Sequence, residues 1–128
     1  MNEKIDSYTS ELIETIDALD EDKIIEAAEL IAECPGIIWI FGNGHAASVA
    51  EAFALDLVKH AEVRAVALNS TAMITAYAND DSYEQVFGNI IDAIPQIGDV
   101  LIGITFSGSD NILIALSHWV GLAFILIS

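Results

Sequence analysis

The sequence predicts an α/β fold built on a parallel sheet. Three observations carry that expectation. Ile37–Phe41 and Val100–Thr105 read as largely continuous apolar runs, the pattern of strands covered on both faces. Each run ends in a glycine-containing loop that leads into a helical pattern. Strands and helices then alternate to the last residues, which implies right-handed βαβ crossovers.

The elements follow in order. Residues Asn2–Leu19 read as a helix, because Ile5, Tyr8, Leu12, Ile16 and Leu19 recur at spacings of three and four. Asp20–Asp22 breaks that pattern and offers N-caps. A second helix, Glu21–Glu33, places Ile24, Ala27, Ala28 and Ile31 on one side, and Cys34-Pro35-Gly36 stops it. The first helix has little sheet of its own to cover, so it is expected to pack on a partner subunit. The strand Ile37–Phe41 leads through Gly42 and Gly44 into a helix from about Ala47 to His60. A short strand is expected at Val63–Leu68, a short helix capped by Ser70 or Thr71 at Thr71–Tyr77, and a turn at Asn79–Ser82. Tyr83–Ala93 is helical and Pro95–Asp99 a turn. Val100–Thr105 is a strand. Phe106–Asn111 forms a second glycine-serine loop, with Ser109 or Asp110 capping a helix to about Val120. Gly121 ends that helix, and Leu122–Ile127 is a fourth strand. An apolar strand at the end of the chain suggests a fragment or a truncated relative of a longer domain.

The chain has 128 residues, enough for one domain with a core, and 54% of them are hydrophobic. No apolar run reaches the roughly 18–20 residues needed to span a bilayer, so the apolarity is assigned to a buried sheet. There is no secretory signal pattern, and the single Cys34 forbids an internal disulfide and fits a reducing cytoplasm. The net charge is −16, with Lys4, Lys23, Lys59 and Arg64 as the only fixed cations. Such a chain cannot neutralise a nucleic-acid backbone, so direct nucleic-acid binding is excluded as an expectation. Most of the acids before Pro35 are read as a solvated face.

The two loops, Gly42–Ala47 and Ser107–Asn111, carry the functional expectation. Each follows the carboxyl end of a strand, where open α/β sheets bind ligands. Each leads into a helix whose N-terminal N–H groups and dipole favour an anion. With so few cations, a bound phosphate would be held by backbone N–H groups and by the hydroxyls of Thr105, Ser107 and Ser109. Asn43, Gly44, Gly108 and Asn111 complete the set. The alternative is that both loops are ordinary turns and caps.

The stretches FGNGHAASVAEAFALDL, LNSTAMITAYANDDSYEQVF and GDVLIGITFSGSDNILIAL resemble the sugar isomerase (SIS) domain family, and within it the phosphoheptose isomerases. The resemblance covers nearly the whole chain, as a single domain over residues 1–128. That domain has N-terminal helices at 1–34, an α/β core at 37–128 and no counterpart of the family's C-terminal segment. It implies a flavodoxin-like three-layer αβα sandwich. It also implies a homo-oligomer, dimer or tetramer, joined through the N-terminal helices, with active sites between subunits. The implied activity interconverts sedoheptulose 7-phosphate and an aldose heptose 7-phosphate. Carried over by motif, Asn43 and Gly44 fall in the substrate loop, Thr71 in the middle motif, and Thr105, Ser107, Gly108 and Asn111 in the phosphate loop.

The departures are specific. Ala46 stands where the family has serine, and His45 where it has glycine. The phosphate loop is one residue shorter and carries Asp110. The family's helix bears a histidine and an acid one turn apart, a spacing that places both on one face for a metal or a proton. Here the pair is Ala52 and Asp56, so no cofactor is expected, although zinc occurs in the family. Isomerisation through an enediol needs a base and a polarising group. Asp56 or Glu51 is the candidate base and His45 the candidate polarising group. The plainer reading makes the acids solvated and His45 a cap or subunit contact. Two functions follow: a phosphosugar isomerase, or a non-catalytic SIS module acting as a regulatory or protein-binding oligomer.

Overall fold

The computed structural model describes residues 2–128. Its elements are α1 (Glu3–Asp17), α2 (Glu21–Ala32), β1 (Ile38–Gly42), α3 (His45–His60), β2 (Ala65–Ala67), α4 (Thr71–Asp80), α5 (Val86–Ala93), β3 (Val100–Ile104), α6 (Asp110–His118) and β4 (Ala123–Ile127). A 3-10 turn at Tyr83–Gln85 joins α4 to α5. The four strands are parallel, in the order β2-β1-β3-β4.

The sheet is buried on both faces at its centre, as continuous apolarity requires. Ile38, Ile40, Val100, Ile102 and Ile104 face one way and pack on the small residues Ala46, Ala50 and Ala54 of α3. Phe41 and Leu101 face the other way, against Phe87 and Ile90 of α5 and Ile112 and Leu116 of α6. Gly103 makes the second face possible, since a Cβ there would stand 2.8 Å from Ile112 Cγ2 and 3.1 Å from Leu116 Cδ1. The result is the expected three-layer α/β/α arrangement.

Several boundaries differ from the sequence reading. The strand expected at Val63–Leu68 pairs only at Ala65–Ala67, opposite Ile38–Ile40. Helix α3 begins at His45, two residues early, because Gly44 turns the chain directly into it. The expected turn at Asn79–Ser82 is helical through Asp80, and the chain turns at Asp81. The helix expected from Tyr83 opens instead as the 3-10 turn. Helix α6 stops at His118 rather than Val120, because Trp119 is extended (ψ 125) and its indole N–H donates to the Ala123 carbonyl. Gly121 therefore does not terminate a helix. It leaves room for the Trp119 ring, which a Cβ would strike. Strand β4 begins at Ala123.

Helix α1 is exposed along its whole length. Asn2 caps α1 and Asp20 caps α2 through side-chain oxygens. The stripe Ile5, Tyr8, Leu12, Ile16 and Leu19 faces solvent. Among the described residues no helix is long and apolar enough to cross a membrane.

At the amino ends of the strands, one buried carboxylate ties the sheet to its flanking turns. Asp99 is 6% exposed. Its Oδ1 accepts from the Ile37 N–H at 2.8 Å. Its Oδ2 accepts from the Trp39 indole and the Gln96 N–H, each at 2.8 Å.

Candidate functional site

The carboxyl ends of β1 and β3 lie side by side, with Gly42 opposite Ile104, so the loops that follow them meet. At Gly42 a Cβ would lie 2.7 Å from Ala46 Cβ and 2.8 Å from the Ile104 carbonyl, so only glycine lets the loop turn this tightly. Gly44 (φ 55) and Gly108 (φ 70) take left-handed conformations with open space around them. There the demand is on the backbone rather than on room for a side chain.

Helices α1, α2 and α4 each receive a side-chain N-cap, the last from Ser70 to the Met73 N–H. Helices α3 and α6, which start at the two loops, receive none. In α3 the N–H groups of Ala46 and Ala47 bond back to the Asn43 and Gly44 carbonyls, which leaves that of His45. In α6 those of Asp110 and Asn111 are left to solvent or a ligand. Ser109 occupies the N-cap position of α6, but its hydroxyl is engaged elsewhere. It accepts from Thr105 Oγ1 at 3.3 Å and lies 3.5 Å from Ser107 Oγ. Thr105 is buried, and its Oγ1 also accepts from the N–H of Ser109 at 2.9 Å and of Ser107 at 3.4 Å. Its hydroxyl therefore shapes the loop from beneath, while Ser107 and Gly108 are exposed at the top.

The two loops are joined by a reciprocal amide pair. Asn43 Nδ2 donates to Asn111 Oδ1 at 2.7 Å, and Asn111 Nδ2 donates to Asn43 Oδ1 at 3.0 Å. Asn111 is 4% exposed, in the first turn of α6. The Tyr83 hydroxyl donates to the same Asn43 Oδ1 at 2.8 Å. Asn69 Nδ2 donates to the Ala47 carbonyl at 3.1 Å and ties the entry of α4 to the start of α3. Thr71 opens α4 at the same end of the sheet and is exposed.

The structure thus brings Asn43, Gly44, Thr105, Ser107, Gly108, Ser109 and Asn111 to one end of the sheet. His45 is exposed at the start of α3, beside Gly44. Glu51 and Asp56 are exposed further along α3, roughly 9 and 16 Å down its axis from His45 at 1.5 Å per residue. They are not part of the hydrogen-bonded cluster. Sequence reasoning missed Tyr83, Asn69 and Asp99, whose partners lie 40, 22 and about 60 residues away.

The residues do not fit a zinc site of the family's type within one chain. Asp56 Oδ1 and His60 Nε2 lie 4.0 Å apart, with each side chain 67% exposed. Ala52 adds no ligand. Among the described residues no three His, Cys, Asp or Glu side chains are grouped to hold a metal.

The SIS domain family matches residues 6–118. The chain is 37% identical over 117 residues to the phosphoheptose isomerases of Shewanella sp. (strain ANA-3) and Shewanella baltica (strain OS155). Those matches cover 83% of this chain, which spans only 59% of the relatives' length. Among solved structures, phosphoheptose isomerase GmhA from Neisseria gonorrhoeae superposes with a TM-score of 0.78 at 34% identity. That match covers 91% of this chain and 67% of the other. A phosphoheptose isomerase from Francisella tularensis gives 0.79 at 34% identity, over 92% and 70%.

Proposed function

The chain belongs to the SIS domain family, and on that premise we propose that it binds a phosphorylated sugar between its β1–α3 and β3–α6 loops and interconverts ketose and aldose phosphates of the phosphoheptose class. The Asn43–Asn111 bridge supports this reading most directly. It fixes the two loops against each other, beside two uncapped helix starts. A phosphate there is held by the N–H groups of Gly108, Asp110 and Asn111, which have no bond among the described residues, and by the Ser107 hydroxyl. The fixed cations lie elsewhere, on α1, α2, the end of α3 and the approach to β2.

Interconversion through an enediol moves a proton from the carbon beside the carbonyl to its neighbour, with a donor stabilising the developing oxyanion. His45 is the polarising donor in this reading, because it stands at the substrate loop. Glu51 or Asp56 is the base. Both are exposed on α3, roughly 9 and 16 Å along its axis from His45, so the acid that serves as base reaches the sugar from a second subunit. No cofactor is required, and a cytoplasmic location belongs to the same reading.

The bare stripe of α1 supports the oligomer that this arrangement needs. Leu12→Glu combined with Ile16→Glu is expected to convert the assembly to single chains by sedimentation velocity. Unchanged mass would remove α1 from the interface.

Titration calorimetry with sedoheptulose 7-phosphate, followed by analysis of the sugar for the aldose, tests the function. Binding with turnover that His45→Ala lowers is the expected result. Binding without turnover would make the chain a non-catalytic SIS module. Absence of binding by the folded oligomer would overturn the reading.

A further inference from the structure

We propose that Tyr83 is a positioning residue for the sugar portion of the ligand, acting through Asn43. This deepens the phosphosugar reading above and rests on it. Three segments converge at one amide: the loop after β1 supplies Asn43, the first turn of α6 supplies Asn111, and the 3-10 turn before α5 supplies Tyr83.

Asn43 Oδ1 accepts from both Tyr83 and Asn111, which fills the two lone pairs of an amide oxygen. Asn111 Oδ1 accepts from Asn43 in return. Among the described residues, each amide nitrogen has one bond and therefore one N–H left over. The clamp thus offers donors and recognises oxygen acceptors, such as the carbonyl and hydroxyl oxygens of a sugar. Asn111 is the buried floor of the group, whereas Tyr83 is 55% exposed at its rim. Without the tyrosine hydroxyl, Asn43 would be held on one side only. The Thr105–Ser109 turn carries its own internal bonds and none to Tyr83, so it does not depend on this residue.

That independence separates a positioning role from a general structural one. The test compares the full-length wild type with Tyr83→Phe, which keeps the ring and removes the hydroxyl. Binding of sedoheptulose 7-phosphate and of inorganic phosphate is measured by calorimetry, and the Asn43 and Asn111 side-chain amides are followed by NMR. We expect sedoheptulose 7-phosphate to bind about three- to tenfold more weakly, the range for one lost hydrogen bond. Inorganic phosphate binding should be unchanged, and the Asn43 amide signals should shift. Equal loss of both ligands, or no loss of either, overturns the proposal. A wild type that does not bind the sugar phosphate sinks the underlying reading and the proposal with it. That result is distinguishable from a Tyr83→Phe variant that binds as well as the wild type.

Discussion

Asp99→Ala is expected to destabilise the fold by about 4 kcal/mol. Three N–H donors converge on this buried carboxylate, from Ile37, Trp39 and Gln96. Hydrogen bonds to a charged acceptor contribute roughly 1.5–3 kcal/mol each, and a stranded buried donor costs about 1–3 kcal/mol. These values are not additive, but even the lower ones reach about 4 kcal/mol. For a domain stabilised by about 5–15 kcal/mol, the variant would be marginally folded. Asp99→Asn is the milder probe, because its amide keeps the shape but turns an NH2 toward a donor. It should cost about 2 kcal/mol in urea denaturation at pH 7.

The pH dependence follows with a defined sign. Burial pushes the Asp99 carboxyl up, but the bonds from Gln96, Ile37 and Trp39, with the Arg64 charge, outweigh it and hold the carboxyl below its ordinary value. A group whose pKa is lower in the folded state binds fewer protons there. Its contribution is therefore complete above the unfolded value, near 4, and is lost as pH falls through the depressed folded value. The stability gap between wild type and Asp99→Asn should be constant from pH 7 to about 5 and shrink below about 4. Taking the difference removes the titration of the other nineteen acids, which both proteins share. A gap under about 0.5 kcal/mol at pH 7 would mean that Asp99 does not hold the turns together.

What the sequence made legible and what it hid divide along sequence separation. The central strands were visible because burial on both faces forces continuous apolarity, at Ile38–Phe41 and Val100–Ile102. The apolar run is longer than strand β2 because Val63 packs beneath α3 and Leu68, whose N–H still donates to the Ile40 carbonyl, packs beside α5. The glycine loops were visible because their chemistry is local. Tyr83 and Asp99 were not, because their roles are set by register. Once Ile38 pairs with Val100, Asp99 must lie beside Ile37, and no local pattern announces that pairing. Helix α6 ended early for a similar reason. Trp119 reaches across Gly121 to the Ala123 carbonyl, a contact that helical periodicity does not encode.

Asn111→Asp should abolish sugar-phosphate binding, with affinity falling at least about 100-fold while the fold survives. The substitution is isosteric and sets a carboxylate in the first turn of α6. The helix dipole favours an anion there by only about 0.3–1 kcal/mol. Against that, one carboxylate oxygen faces Asn43 Oδ1, an acceptor already 3.0 Å from the Asn111 nitrogen. A phosphate arriving at the same loop then meets a second anion beside Asp110, which is itself exposed at the start of the helix. Like-charge juxtaposition at a binding surface costs several kcal/mol, so repulsion outweighs the dipole. Asn111→Ala is the necessary companion. It removes the bridge without adding charge and should weaken binding only about tenfold, the scale of a lost hydrogen bond. The ratio between the two variants reports the added carboxylate, which repels both Asn43 Oδ1 and an incoming phosphate. If Asn111→Asp bound sedoheptulose 7-phosphate as tightly as Asn111→Ala, no anion would be seated at the start of α6. The ligand would then have to be sought away from the joined ends of β1 and β3.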